Sequence, residues 1–207
     1  MELITHTITL RGEHVTLRPM TEADWPDLLR WNSDPEVLYF SEGDDVRSYS
    51  LAEVQGIYRM VSKNALCFII EYQGRSIGEC WLQRMNLERV LREYPGFDVR
   101  RIDLMIGEKT SWGQGHGTEV IRLLTDLAFQ QENADYVYEP DIGDYNPRSR
   151  RAFEKNDYRL VARTPQPVGC KARTTFDLIA KNPRLGFHAY AIHLFFDPQT
   201  ENAIRSV

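Results

Sequence analysis

Three glycines at alternate positions form the most distinctive local pattern of this sequence. Gly113, Gly115 and Gly117 stand in WGQGHGTEV, between a predicted strand and a predicted amphipathic helix. Successive backbone N–H groups ahead of a helix can bind phosphate, and the helix dipole assists them. The loop is neither a P-loop, because no Lys-Ser/Thr pair follows, nor a dinucleotide fingerprint, because Thr118 replaces that motif's last glycine. The pattern favours phosphate binding, and a plain structural turn is the alternative.

The elements around this loop are predicted from hydrophobic periodicity. Residues 99–107 (VRRIDLMIG) alternate like a strand with one buried face, which puts Ile102 on one side and Asp103 on the other. Residues 118–131 carry apolar side chains at helical spacing. The remaining predicted helices are 21–32, 50–63 and 146–158, and the remaining predicted strands are 12–19, 65–72, 75–83, 136–141, 158–164 and 172–180. This order predicts a mixed α/β layer fold.

Length and composition exclude several classes of protein. The chain has 207 residues, of which 42% are hydrophobic and 27% charged, so it is neither disordered nor membrane-embedded in character. We expect one domain over residues 1–181, followed by an extension, 182–207, that packs on the body or on a second subunit of a homodimer. No secretory signal is evident, which favours the cytoplasm.

The net charge and the cysteines indicate which classes of partner and ligand to expect. The net charge of −5 has the wrong sign for broad nucleic-acid binding and favours a cationic partner; that it merely keeps the chain soluble is the alternative. The three cysteines are far apart and show no spacing typical of metal ligands. We therefore expect free thiols and no metal.

The strand, the GQGHGT loop, the helix and the later NPRSRRAFEKNDY segment resemble the acetyl-CoA-binding half of the GNAT N-acetyltransferases. HVTLRPMTEADW, VRRID and EPDIGDY extend the resemblance over about residues 10–180 and make it most similar to the aminoglycoside 6′-N-acetyltransferases. The resemblance implies a central mixed sheet, flanked by helices, that splays after the 99–107 strand to admit the pantetheine arm.

The resemblance also implies which residues bind acetyl-CoA. Backbone of the 99–107 strand would pair with pantetheine, the loop would hold the pyrophosphate, and the 146–158 helix would complete the site. The residues are Leu104, Met105, Ile106, Trp112, Gly113, Gln114, Gly115, His116, Gly117, Thr118, Asn146, Ser149 and Phe153. Two of them depart from the family: Trp112 stands where Gln or Arg is usual, and Phe153 stands where many members carry a tyrosine taken to protonate the leaving thiolate.

Direct transfer to an amine needs a group that accepts a proton. By resemblance Asp103 is the first choice and Glu88, in the loop ahead of that strand, the second; the alternatives are that Asp103 pairs with Arg100 or Arg101 and that Glu88 is a solvated charge. Glu79, on the preceding strand, is a further candidate for the acceptor site.

Acidic and aromatic residues are predicted to bind the acceptor. Asp141 and Asp144 would hold ammonium groups, with capping of the helix near Asn146 as the alternative. Tyr39 and Phe40 would line the acceptor pocket, as the resemblance implies. The sequence therefore predicts an acetyl-CoA-dependent N-acetyltransferase that acts on an aminoglycoside-type amine in a ternary complex. A siderophore precursor, a polyamine or a protein N-terminus as acceptor, and a catalytically silent CoA-binding module, are the alternatives.

Overall fold

Strands form one open sheet in the computed structural model, which describes residues 2–44 and 47–185. In chain order the described strands are β1 (Leu10–Arg11), β2 (Val15–Pro19), β3 (Ala65–Tyr72), β4 (Arg75–Arg84), β5 (Val99–Ile106), β6 (Tyr136–Gly143), β7 (Arg159–Pro165) and β8 (Thr174–Lys181). Their order in the sheet is β1-β2-β3-β4-β5-β6-β8-β7. Neighbouring strands are antiparallel except β5 and β6, which are parallel, so the sheet is mixed as predicted.

Helices cover both faces of this sheet. The described α-helices are α1 (Trp25–Trp31), α2 (Pro35–Ser41), α3 (Leu51–Val61), α4 (Glu88–Glu93), α5 (His116–Gln130) and α6 (Pro147–Glu154). Ser50 begins α3 with a capping box completed by Glu53, which explains why the sequence locates this helix closely. None of the described helices is long and apolar enough to cross a membrane.

Two of these helices are absent from the sequence prediction. Helix α2 follows Asp34-Pro35, where the Asp34 carboxylate accepts hydrogen bonds from the N–H groups of Glu36 and Val37. Helix α4 lies in the polar stretch 84–97, and its six residues bury Val90. Helices of two turns or fewer show too little periodicity to stand out in a sequence.

The alternation along β5 separates two apolar cores. Ile102 belongs to the larger core, which α5 covers with residues such as Val120 and Leu124. Met105 belongs to the second core, which lies on the opposite face of the sheet beneath α1, α2 and α3. Trp31 is part of the same core. Asp103 lies on this second face, as the alternation predicts.

The sheet splits between β5 and β6. The two strands pair at Val99–Tyr136 and Arg100–Val137 and then diverge. Strand β6 continues along β8 with an irregularity between Glu139 and Ile142. The divergence confirms the predicted splay and leaves a gap at the end of β5.

The first residue of the predicted extension, Asn182, contacts the body of the protein. Asn182 is buried, and its side-chain amide donates hydrogen bonds to the carbonyl oxygens of Phe129 (3.3 Å) and Ala134 (2.8 Å). The chain therefore stays on the body through this residue. The predicted packing of residues 186–207 lies outside the described residues.

Candidate active site

A cleft of about 560 Å³ opens where β5 and β6 diverge. Its walls are these two strands, the glycine-rich loop, α2 and α6. Fourteen of the residues predicted for the site line it: Phe40, Asp103, Leu104, Met105, Ile106, Trp112, Gly113, Gly115, His116, Gly117, Thr118, Asp141, Asn146 and Ser149. The structure thus brings together residues from five separate parts of the sequence.

The glycine-rich loop presents unpaired amide groups at the start of α5. Gly113 and Gly115 have φ of +74° and +90°, a conformation that disfavours side chains other than glycine. Within the described residues, none of the N–H groups from Gly113 to Thr118 donates a hydrogen bond. Free donors at the positive end of a 15-residue helix fit a phosphate group. The Gln114 side chain turns away from the cleft and donates to the carbonyl oxygen of Thr110.

Trp112 anchors the loop to β5. Its indole N–H donates to the carbonyl oxygen of Ile106 at 2.7 Å, and its ring meets the Phe40 ring edge-on. The Arg148 guanidinium lies 4.4 Å from the Trp112 ring centroid and 4.2 Å from that of Phe40. Arg148, which the sequence reasoning missed, therefore brings a positive charge to the loop from α6.

The His116 ring packs beneath the loop. Neither ring nitrogen has a hydrogen-bond partner in the described part of the chain, and the ring lies 4.4 Å from that of Tyr72. Burial lowers the pKa of His116 despite the nearby charge of Glu119. The neutral ring is thus a packing group that also lines the cleft.

Asp103 combines the two roles considered for it. Its Oδ1 accepts a hydrogen bond from the Arg101 guanidinium at 2.7 Å, so the predicted ion pair exists. Its Oδ2 is buried and has no partner among the described residues. Burial raises the pKa of Asp103, although the Arg101 charge opposes this shift. The carboxylate is therefore a stronger base than an exposed aspartate.

The charge of Asp103 also acts on two further carboxyls, those of Glu79 and Glu139. Glu79, on β4, has its pKa raised well above the ordinary value by burial and then by the Asp103 charge. Glu139, on β6, lines the cleft, and its pKa is raised well above the ordinary value by the same two causes. One carboxyl oxygen of each lacks a hydrogen-bond partner in the described residues. The signal for Glu139, a glutamate in the apolar strand YVYEPD, was present in the sequence and missed.

Asp141 and Asp144 do not cap α6. Asn146 does so, since its side chain accepts from the N–H of Ser149 at 3.2 Å. Asp141 pairs with Arg89 at 2.9 Å, and Asp144 accepts from the backbone N–H of Arg173. The capping alternative is therefore wrong for both aspartates.

A buried aspartate fixes the backbone at the bend of β6. Asp177 accepts hydrogen bonds from the Tyr138 hydroxyl at 2.7 Å and from the Asp141 N–H at 2.8 Å, and it pairs with Arg89. Asp141 has a φ of +58°, which is strained for a residue with a side chain. These contacts hold the strained residue where the cleft opens.

Six predicted residues do not line the cleft, and besides Gln114 and Asp144 these are Glu88, Phe153, Glu79 and Tyr39. Glu88 begins α4 rather than lying in a loop, and its exposed side chain pairs with Arg92 at 2.7 Å. Phe153 is buried in the larger core against Tyr158 and is not among the residues that line the cleft. Glu79 and Tyr39 do not line the cleft either, and the Tyr39 ring packs against the ring of Tyr145. Phe153, which stands where many family members carry a tyrosine, therefore does not extend its side chain into the cleft.

Comparison with known proteins identifies the architecture. Residues 14–159 match the acetyltransferase (GNAT) domain family. The chain belongs to the GNAT acetyltransferase family. Curated relatives include the aminoglycoside N(6′)-acetyltransferase type 1 of Klebsiella pneumoniae, 26% identical over 167 residues, with 78% of this chain and 82% of the relative covered.

Solved GNAT structures share the fold. The structure of AAC(6′)-Ib in complex with ribostamycin and coenzyme A aligns with a TM-score of 0.68 at 24% identity and covers 85% of this chain and 97% of that one. Spermidine N-acetyltransferase from Vibrio cholerae, in complex with CoA and spermine, aligns with a TM-score of 0.68 at 16% identity and covers 84% and 99%. The GNAT chain described here is an N-acetyltransferase, and acetyl-CoA is the donor in such reactions.

No cluster of three or more His, Cys, Asp or Glu side chains in the described ranges is placed to hold a metal ion.

Proposed function

We propose that this GNAT enzyme transfers the acetyl group of acetyl-CoA to an amine of a polycationic small molecule, with an aminoglycoside as the leading acceptor. The observation that carries the proposal is that two carboxyls, Asp103 and Glu139, line the cleft where β5 and β6 diverge, while a third, Glu79, is buried behind them. Carboxyls with raised pKa values gain most from a neighbouring cation, because the cation offsets the cost of their ionisation. A polyamine is the second candidate, and the fold shared with a spermidine acetyltransferase is compatible with it.

The residues of the cleft fit acetyl-CoA. The free N–H groups from Gly113 to Thr118 would hold the pyrophosphate, with Arg148 supplying positive charge nearby. The backbone of Leu104 to Ile106, beyond the last pairing with β6, would bind the pantetheine amides. Acetyl-CoA supplies the acetyl thioester. Held by these N–H donors, the thioester would lie in the gap between β5 and β6, which Asp103 also lines.

Asp103 is the proposed proton acceptor. An amine attacks a thioester only in its neutral form, so a positioned base must take its proton. The unpartnered Oδ2 of Asp103 can accept that proton, while Oδ1 stays bonded to Arg101, which fixes the orientation of the carboxylate. The raised pKa brings this group closer to the pH at which the enzyme must act.

A thiol-release assay tests the acceptor class. The protein and acetyl-CoA are mixed with ribostamycin, kanamycin, spermidine or a short peptide with a free N-terminus, and a reaction without amine serves as the control. We expect CoA release with the aminoglycosides first and with spermidine at most as a weaker acceptor. Release with the peptide alone, or with none of these amines despite acetyl-CoA binding, would contradict the proposal.

The role of Asp103 is tested by Asp103→Asn. The amide cannot accept the proton, so we expect kcat to fall by about 10²-fold or more, with little change in the affinity for CoA measured by calorimetry. In the wild type, activity should rise with pH through the raised pKa of Asp103, because the protonated carboxyl cannot act as a base. This rise should be missing from the variant. An unaltered kcat would remove Asp103 from the mechanism.

A further inference from the structure

An ammonium group of the chain itself is bound beside the cleft. Lys171 lies between β7 and β8, and its Nζ is 4.3 Å from the ring centroid of Tyr39 and 4.0 Å from that of Tyr145. The same Nζ donates hydrogen bonds to the carbonyl oxygens of Tyr39, Glu42 (3.0 Å) and Gly43 (3.5 Å). Two aromatic rings and three carbonyl groups thus form what we call the cation cage.

The cation cage shares a wall with the cleft. Tyr145 lines the cleft, as do Phe40 and Ser41 in the helix that also carries Tyr39. The Tyr145 hydroxyl donates to the carbonyl oxygen of Glu42 at 3.2 Å, which holds its ring in place. The cage and the cleft therefore share the Tyr145 side chain.

Burial lowers the pKa of Lys171, and the nearby negative charges of Asp44 and Glu42, which favour a cation in the cage, oppose this shift. Burial raises the pKa of Tyr145, and the negative charges of Asp44, Glu42 and Asp144 raise it further. Aromatic faces and carbonyl oxygens attract an ammonium group and offset part of the cost of its desolvation. Among residues 2–44 and 47–185, the direct contacts of Lys171 Nζ are carbonyl oxygens and aromatic rings rather than carboxylates, and another primary ammonium could make the same contacts.

We propose that the cation cage is a subsite for a second ammonium group of the acceptor, and that Lys171 occupies it when no acceptor is bound. The inference rests on the proposed function, since it assumes an acceptor with at least two ammonium groups. The ligand class is a primary ammonium on an aliphatic carbon, the group that Lys171 itself presents. Lys171 is tethered, so it competes as an intramolecular ligand and weakens the apparent affinity for the acceptor.

The variant Lys171→Met removes the ammonium group and keeps an unbranched apolar stem. Kinetics are measured with spermidine and with a monoamine, butylamine, and Lys63→Met, which removes an exposed charge at the end of α3, is the matched control. We expect the ratio of the KM for butylamine to the KM for spermidine to rise several-fold in Lys171→Met and not in Lys63→Met. An unchanged or lowered ratio would overturn the inference.

A second variant and a binding measurement separate the outcomes. If Lys171 merely ties the loop to α2, its replacement lowers the melting temperature and raises the KM for spermidine, which overturns the inference.

Tyr145→Leu removes one face of the cage and should weaken spermidine binding, while Tyr145→Phe, which keeps the ring, should retain most of it. Calorimetric titration of spermidine into the CoA-bound protein needs no turnover. Tighter binding to Lys171→Met would support the subsite even if no amine were acetylated and the proposed function failed.

Discussion

Replacing Glu79 by glutamine should stabilise the protein at neutral pH, by an amount that grows as the pH rises. The Glu79 side chain is buried, and its Oε2 lacks a hydrogen-bond partner in the described residues. Burial and the neighbouring Asp103 raise its pKa well above the ordinary value, and the Tyr58 hydroxyl only partly opposes this shift. Glutamine has the same size and cannot ionise, so it removes the cost of a buried charge.

The magnitude follows from the pKa shift, because each unit by which the folded pKa exceeds the unfolded pKa costs about 1.4 kcal/mol of stability at high pH. The pKa of Glu79 is raised in the folded protein. At low pH the carboxyl is protonated in both the folded and the unfolded protein, so its contribution to stability is present there. That contribution is lost as the pH rises through the pKa of Glu79 in the folded protein. The stability difference between variant and wild type should therefore be smallest at about pH 4 and grow to on the order of 1–3 kcal/mol at about pH 8. For a chain of this size, that corresponds to roughly 2–12 °C in melting temperature.

Thermal denaturation of both proteins across this pH range provides the measurement. Glu154→Gln is the control, because Glu154 forms an exposed ion pair one helical turn from Arg150 and should change stability little at any pH. The reasoning would be refuted if Glu79→Gln lowered the melting temperature at about pH 8, or if its effect did not depend on pH. If Glu79 also attracts the acceptor, the same variant should raise the KM for a cationic amine.

Two further predictions concern the loop and the bend of β6. Gly115→Ala places a side chain on a residue with a φ of +90°, which costs about 1–2 kcal/mol. We therefore expect CoA affinity, measured by calorimetry, to fall about tenfold. The control is Gly56→Ala, within α3 and facing open space, which should leave CoA affinity unchanged and stabilise the helix. Equal CoA affinity in the two variants would refute the loop assignment. Asp177→Asn should lower the melting temperature at neutral pH, because Arg89 lowers the pKa of the wild-type carboxyl although it is buried. The difference in melting temperature between variant and wild type should shrink as the pH falls through that lowered pKa. A constant deficit measured in melts across this range would contradict that role.

The sequence by itself determined the elements whose signals are local. The alternation in β5 and the periodicity of α5 gave both elements to within a few residues, and Gln73-Gly74 marked the turn between β3 and β4. The alternating glycines also indicate the loop that is proposed to bind phosphate. These features depend on dihedral preferences and on the burial of one face, which a stretch of ten or so residues specifies.

Only the tertiary structure decided which side chains meet and which are buried. It placed Phe153 in the core, moved Glu88 onto an exposed helix, and coupled Glu79 and Glu139 to Asp103 across separate strands. It also seated Lys171 against Tyr39, 132 positions earlier in the chain. The reason is physical: a raised pKa or a bound ammonium depends on desolvation and on neighbours that long-range packing supplies, and no local pattern in the sequence encodes either.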